Sequence, residues 1–77
     1  MPITTKQATK GLKNFIKASR KLADAFSEVG EDDNSYDAGG LSGDAEEKLA
    51  ELEAGTVTAG EVVVWLAAAQ DRLDNIS

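Results

Sequence analysis

The chain contains no cysteine and no histidine, and it has a single proline. Without cysteine it can form no disulfide, thiolate nucleophile or cysteine metal site. Without histidine it lacks the commonest general base and the commonest nitrogen ligand for metals. The longest unbroken apolar run is eight residues, 62–69, far below the ~20 residues that cross a bilayer. We therefore expect no transmembrane segment and a cytoplasmic protein.

The length and composition are those of a small globular chain. Its 77 residues are 42% hydrophobic and 29% charged, with only four Phe, Tyr or Trp residues. A chain of this size forms at most one domain and buries only about 60% of its unfolded surface. It carries no G-x-S-x-G, P-loop or dinucleotide motif. We expect one non-enzymatic domain spanning 1–77, with no cofactor and no catalytic residues.

The charge is divided along the chain, although the net charge is −6. Residues 1–21 hold six cations and no carboxylate, giving +6. Residues 22–77 hold two cations and fourteen carboxylates, giving −12. The two parts therefore either attract each other or contact different partners.

The first helix is predicted from about Thr5 to Val29. Thr4 and Gln7 have the spacing of a capping box, and Gly30 is a typical helix-ending residue. Apolar residues recur at helical spacing along one side of this helix, and cations recur at helical spacing along another side. The expected core stripe is Leu12, Phe15, Ile16, Leu22, Ala23, Phe26 and Val29. The basic face is Lys6, Lys10, Lys13, Lys17, Arg20 and Lys21.

An acidic, glycine-rich loop is predicted at 31–43, because Gly, Asn, Asp and Ser favour turns. From Asp33, oxygen-bearing side chains occupy positions 1, 3, 5 and 12 of a calcium loop. However, Ala38 stands where such a loop needs Gly, and Asp44 replaces the usual Glu. We therefore assign no metal ligand, and calcium binding stays an open alternative.

Two further helices complete the predicted all-α, three-helix domain. A short acidic middle helix is expected at about 44–54, with Ala45, Leu49 and Leu52 as its apolar seam. The third is expected at about 59–76, where Thr58 and Glu61 match a capping box and Val57 and Val62 a hydrophobic staple. The first and third helices are expected to be the longest and to pack together. The β-branched residues of 56–58 and 62–65 also allow a β-hairpin as an alternative.

The third helix carries more apolar surface than a small core requires. Its expected core stripe is Val62, Trp65, Leu66, Ala69, Leu73 and Ile76, while Val63, Val64, Ala67 and Ala68 widen the apolar surface beyond it. The expected partner-binding residues are Val63, Val64, Trp65, Ala67 and Ala68.

The predicted function is that of a small adaptor, assembly or inhibitor protein, which binds a protein partner or a second copy of itself. One alternative is a nucleic-acid accessory protein that uses the basic face, although the −12 part would repel phosphate. Another is an acidic mimic of a phosphate backbone.

Overall fold

Three α-helices form the whole of the described fold in the computed structural model, which describes residues 3–76. They are α1 (Thr5–Glu28), α2 (Asp32–Ala54) and α3 (Ala59–Asp74). Residues 3–76 contain no strand. The all-α prediction is therefore confirmed, and the β-hairpin alternative at 56–65 is wrong.

A capping box defines the start of α1, and a glycine with positive φ lies just beyond its end. The Thr4 hydroxyl accepts from the Gln7 N–H at 3.1 Å, and the Gln7 side chain accepts from the Thr4 N–H at 3.0 Å. At the other end the helix stops at Glu28, one residue before the predicted end, and Gly30 takes a φ of 78°. A residue with a side chain is strained at such an angle.

The predicted loop at 31–43 is wrong, because α2 begins at Asp32 and continues through this segment. The prediction was based on the weak helix propensity of three glycines. The burial of apolar side chains on one side of the segment outweighs this weak propensity and stabilises the helix. Ala38, Leu41 and Ser42 are buried on the same side as the expected core residues further along α2. In addition, the Ser35 hydroxyl donates to the Ala23 carbonyl of α1 at 2.8 Å. These contacts explain a helix of 23 residues.

The helical path of α2 also removes the calcium-loop alternative. Residues 33–44, which would have wrapped around the ion, all lie in α2. A helical backbone cannot turn its side chains and carbonyls towards one enclosed ion, as a 12-residue calcium loop does. The calcium-loop alternative, which requires a loop at 33–44, is therefore wrong on geometric grounds.

The helices α1 and α2 form an antiparallel hairpin, joined by residues 29–31. Their interface is the most extensive in the described chain, and α3 packs mainly against α1. Because α2 includes the segment predicted as a loop, it has 23 residues and α3 has 16, so α2 and not α3 is the second longest helix. The expected packing of α1 against α3 is present. The buried hydrophobic core comprises Ala8, Leu12, Phe15, Ile16, Ala38, Leu41, Ala45, Leu52, Val62, Ala69 and Leu73.

The third helix begins as predicted. The Thr58 hydroxyl accepts from the Glu61 N–H at 3.1 Å, and the Glu61 carboxylate accepts from the Thr58 N–H at 3.2 Å. The helix ends at Asp74, two residues before the expected end. Val62 is buried and Val57 packs against the core, as the predicted staple requires.

Alanine in place of Gly40 or Gly43 is expected to stabilise the protein. Both glycines are exposed within α2, and an added Cβ would meet no atom within 4 Å. Since alanine is the better helix former by ~1 kcal/mol, each change should raise the free energy of unfolding by about 0.5–1 kcal/mol. Urea denaturation followed by circular dichroism measures this gain. Gly55→Ala is the control and should destabilise by about 1 kcal/mol, because Gly55 has a φ of 79°.

Candidate protein-binding surface

The outer face of α3 is the exposed apolar surface formed by Gly60, Val63, Val64, Ala67 and Ala68. Helical spacing places these residues opposite the side of α3 that is buried. Val64 is 71% exposed and Val63 is 37% exposed. The structure therefore leaves uncovered four of the five residues predicted to bind a partner.

Trp65, the fifth of these residues, lies at the edge of the outer face and is half-buried. Its ring meets Phe15 edge to face, with centroids 5.8 Å apart and planes at 74°. Trp65 also borders an open depression together with Thr58, Gly60, Glu61 and Val64. One part of the indole is thus fixed by the core, while another part is available at the surface.

The predicted basic face lies along the solvent side of α1. All six of its cations are exposed. Arg20 forms an ion pair with Glu46 of α2, and an exposed pair of this kind contributes little stability. Within residues 3–76 the five lysines of this face form no ion pair. At ~1.5 Å per residue, the row from Lys6 to Lys21 is about 22 Å long.

The solvent side of α2 carries much of the negative charge. Tyr36 is 82% exposed there. Lys48 is the one cation of α2, and its Nζ lies 3.4 Å from Glu51 Oε1. The basic and acidic parts of the sequence thus occupy the solvent sides of adjacent helices. The exposed acids of α2 are Asp32, Asp33, Asp37, Asp44, Glu46, Glu47 and Glu53.

A second apolar surface was not predicted as a binding surface. Ala18, Leu22 and Ala25 line an open depression on α1, beside Lys21. Val29 continues this line and is 70% exposed, so its assignment to the core was wrong. The spacing of these residues is visible in the sequence, but which side of α1 the other two helices cover is not.

Metal-binding clusters and membrane-spanning helices were both looked for among the described residues. Among residues 3–76, no group of three or more Asp or Glu side chains is placed to hold a metal ion. In the same range, no helix is both long and apolar enough to span a bilayer. Comparisons with protein-family models, curated proteins and solved structures give no match to this chain.

Proposed function

We propose that this protein is a non-catalytic binding module that contacts another protein through the outer face of α3. It would act as an adaptor, assembly or inhibitor protein in the cytoplasm. The observation that carries this proposal is the exposure of Val64 in the middle of a continuous apolar face. Apolar surface that the fold leaves in water gains free energy when a partner covers it.

The construction of α3 supports this use of the face. The helix is held to the core by Val62, Ala69 and Leu73, so its opposite side is not needed for folding. The two bonds of the capping box fix the first turn beside the face. Trp65 adds a large aromatic edge, a type of group enriched among residues that dominate binding energy. A partner would thus meet a preformed surface, which lowers the entropy cost of binding.

Charge would set the orientation of the partner more than the strength of binding. The outer face is followed along α3 by Asp71, one helical turn beyond Ala67 and Ala68. A partner that places a cation or a helix N-terminus beside Asp71 would gain from this carboxylate.

Nucleic-acid binding is a second candidate function, which the five lysines without ion pairs favour. A row of cations about 22 Å long can contact several phosphates, and such binding weakens steeply as salt rises. The acids of α2 oppose it at long range. A triple change of Lys10, Lys13 and Lys17 to Glu should abolish any salt-dependent binding to a DNA or RNA oligonucleotide.

Val64→Glu tests the protein-binding proposal. A charged side chain in the middle of the outer face would have to be desolvated on binding, so partner capture should fall at least about tenfold. The helix content should stay unchanged, because Val64 is not part of the core. Capture by the tagged protein is measured by quantitative mass spectrometry, and self-capture by co-expressing two differently tagged copies.

Val29→Glu is the matched control, since Val29 is 70% exposed and lies in α1's C-terminal cap. It introduces the same charge at the same degree of exposure, away from α3. Equal capture by wild type, Val64→Glu and Val29→Glu would contradict the proposed role of the outer face.

A further inference from the structure

We infer that the solvent side of α1 docks on an anionic lipid bilayer, with the basic face against the headgroups and an apolar line against the acyl-chain boundary. The apolar line consists of Ala18, Leu22, Ala25 and Val29. This inference concerns α1 and goes beyond the protein binding proposed for α3. It follows from the charge on this side of α1, its separation from the acids of α2 and the position of the apolar line.

The basic face presents its lysines to solvent as a continuous row. All five are exposed, and within residues 3–76 none of them forms an ion pair. Lys10 and Lys17 lie on the side of α1 opposite the buried Leu12 and Ser19. The long stem of a lysine can lie along apolar surface while its ammonium group stays among polar groups. The row is thus complementary in charge to the phosphate and carboxylate groups of an anionic lipid surface.

The acids of α2 do not cancel this charge, because they lie away from α1. The buried side of α2 meets α1, and Asp33 and Glu47 lie away from that side. Two packed helices are roughly 20 Å across with their side chains. This separation is about twice the Debye length at physiological salt, so long-range repulsion from these acids is largely screened. The net charge of −6 is therefore compatible with attraction to an anionic surface.

Two acids of α1 itself set where the attraction by charge ends. Asp24 and Glu28 are exposed, and they follow Lys17 and Lys21 at helical spacing. They repel an anionic surface, so the electrostatic contact belongs to residues 6–21. At the end of α1, attraction has to come from apolar groups.

The apolar line supplies this second contribution. Lys21 is a neighbour of both Ala18 and Ala25 on the helix surface, at spacings of three and four residues. The same lysine borders the open depression that Ala18, Leu22 and Ala25 line. Val29 extends the line and is 70% exposed. Basic and apolar groups thus adjoin each other on α1, as they do in helices that lie in the interface of an anionic membrane.

The apolar line favours a membrane over a nucleic acid as the occupant. A phosphate backbone would use the lysines alone, whereas a bilayer gains from both kinds of group. In addition, α1 has no exposed aromatic side chain on which a base could stack. The small size of Ala18 and Ala25 limits the apolar area, so binding should be reversible and should weaken as salt rises.

Vesicles test the role of the lysines. The probe is phosphatidylcholine with about 30% phosphatidylserine, and phosphatidylcholine alone is the reference. In co-sedimentation at low salt, we expect binding to the anionic vesicles only. The double variant Lys10→Glu, Lys17→Glu should lose at least about tenfold in affinity, because each cation near an anionic surface strengthens binding several-fold.

The matched control is the double variant Lys48→Glu, Arg72→Glu. It reverses two cations on α2 and α3 and so reaches the same net charge. Its affinity for the anionic vesicles should stay within about twofold of wild type. Equal losses in the two double variants would show that only the net charge matters, and would overturn α1 as the docking side.

Ala25→Leu tests the apolar line without changing any charge. Ala25 is exposed, and the larger side chain should raise the affinity for anionic vesicles at least about threefold. Ala50→Leu, at an exposed position of α2, is the control and should leave the affinity unchanged. Neither change should alter binding to a DNA oligonucleotide, which uses the lysines alone.

Two results would overturn the membrane as the occupant. One is tighter binding to the oligonucleotide than to anionic vesicles, with no effect of Ala25→Leu on vesicle binding, which would assign the lysines to a nucleic acid. The other is no binding to anionic vesicles at low salt. Partner capture through Val64 is measured without lipid, so either result leaves the proposed function of α3 to its own test.

Discussion

Alanine in place of Leu12 is expected to lower the free energy of unfolding by about 2–5 kcal/mol. Leu12 is 0% exposed and belongs to the buried hydrophobic cluster to which all three helices contribute. The substitution removes packed methyl groups and leaves a cavity that the neighbouring helices fill only in part. A domain of this length has a total stability of about 4–12 kcal/mol. The change should therefore remove a large share of it.

Urea denaturation at 25 °C, followed by circular dichroism, measures this loss. Val64→Ala is the control, because it also truncates an aliphatic side chain in a helix but at a position 71% exposed. Its effect should stay within about 0.5 kcal/mol. A similar small effect at Leu12 would contradict the packing of α1 against the rest of the core.

The parts of the fold that depend on local signals could be predicted from the sequence. The capping boxes at Thr4 and Thr58 form with both of their hydrogen bonds. Each of them involves residues only three apart, so no knowledge of the tertiary structure is needed. Gly30 and Gly55 both adopt positive φ near the predicted helix ends. Helix boundaries at these points were therefore correct to within one residue.

The first half of α2 could not be predicted in this way. Gly39, Gly40 and Gly43 lower the local helix propensity, and the correct outcome depends on a non-local effect. This effect is the burial of Ala38 and Leu41 against the other helices. Two small or medium apolar residues within an acidic, glycine-rich segment are a weak signal in the sequence. The chain reverses direction at residues 29–31, and this reversal brings α2 against α1. Packing between the two helices then supplies the stability that the helix propensity of the glycine-rich segment does not provide.

The outer face of α3 was predictable for a different reason. A helix with apolar residues around most of its circumference must expose some of them in a protein of this size. The assignment of Val63, Val64, Ala67 and Ala68 to that surface required only helical spacing. The open depression at Ala18, Leu22 and Ala25 was not predictable, since it depends on which side of α1 the other two helices cover.

Glutamate in place of Ala38 is expected to cost at least about 3 kcal/mol, because it buries a charge without a partner. Ala38 is 0% exposed on the face of α2 that meets the core. If residues 31–43 were a solvated loop, as their composition predicted, this change would have almost no effect. The variant therefore distinguishes the two descriptions of the segment.

Ala50→Glu is the matched control for Ala38→Glu. Both replace alanine by glutamate within α2, but Ala50 is exposed. The control should keep its helix content and change the free energy of unfolding by less than about 0.5 kcal/mol. Unchanged helicity and stability in Ala38→Glu as well would contradict the helical, buried position of this residue.

Circular dichroism at 222 nm and amide hydrogen exchange measure how far the disruption in Ala38→Glu extends. The structural change that costs the least free energy is unfolding of the first three turns of α2, since the three glycines there contribute little helix stability. This release would break the bond from the Ser35 hydroxyl to the Ala23 carbonyl. Rapid exchange should then begin in residues 32–43, while α3 keeps its outer face. The proposed binding through Val64 should therefore be unchanged in the variant as long as the rest of the core stays folded.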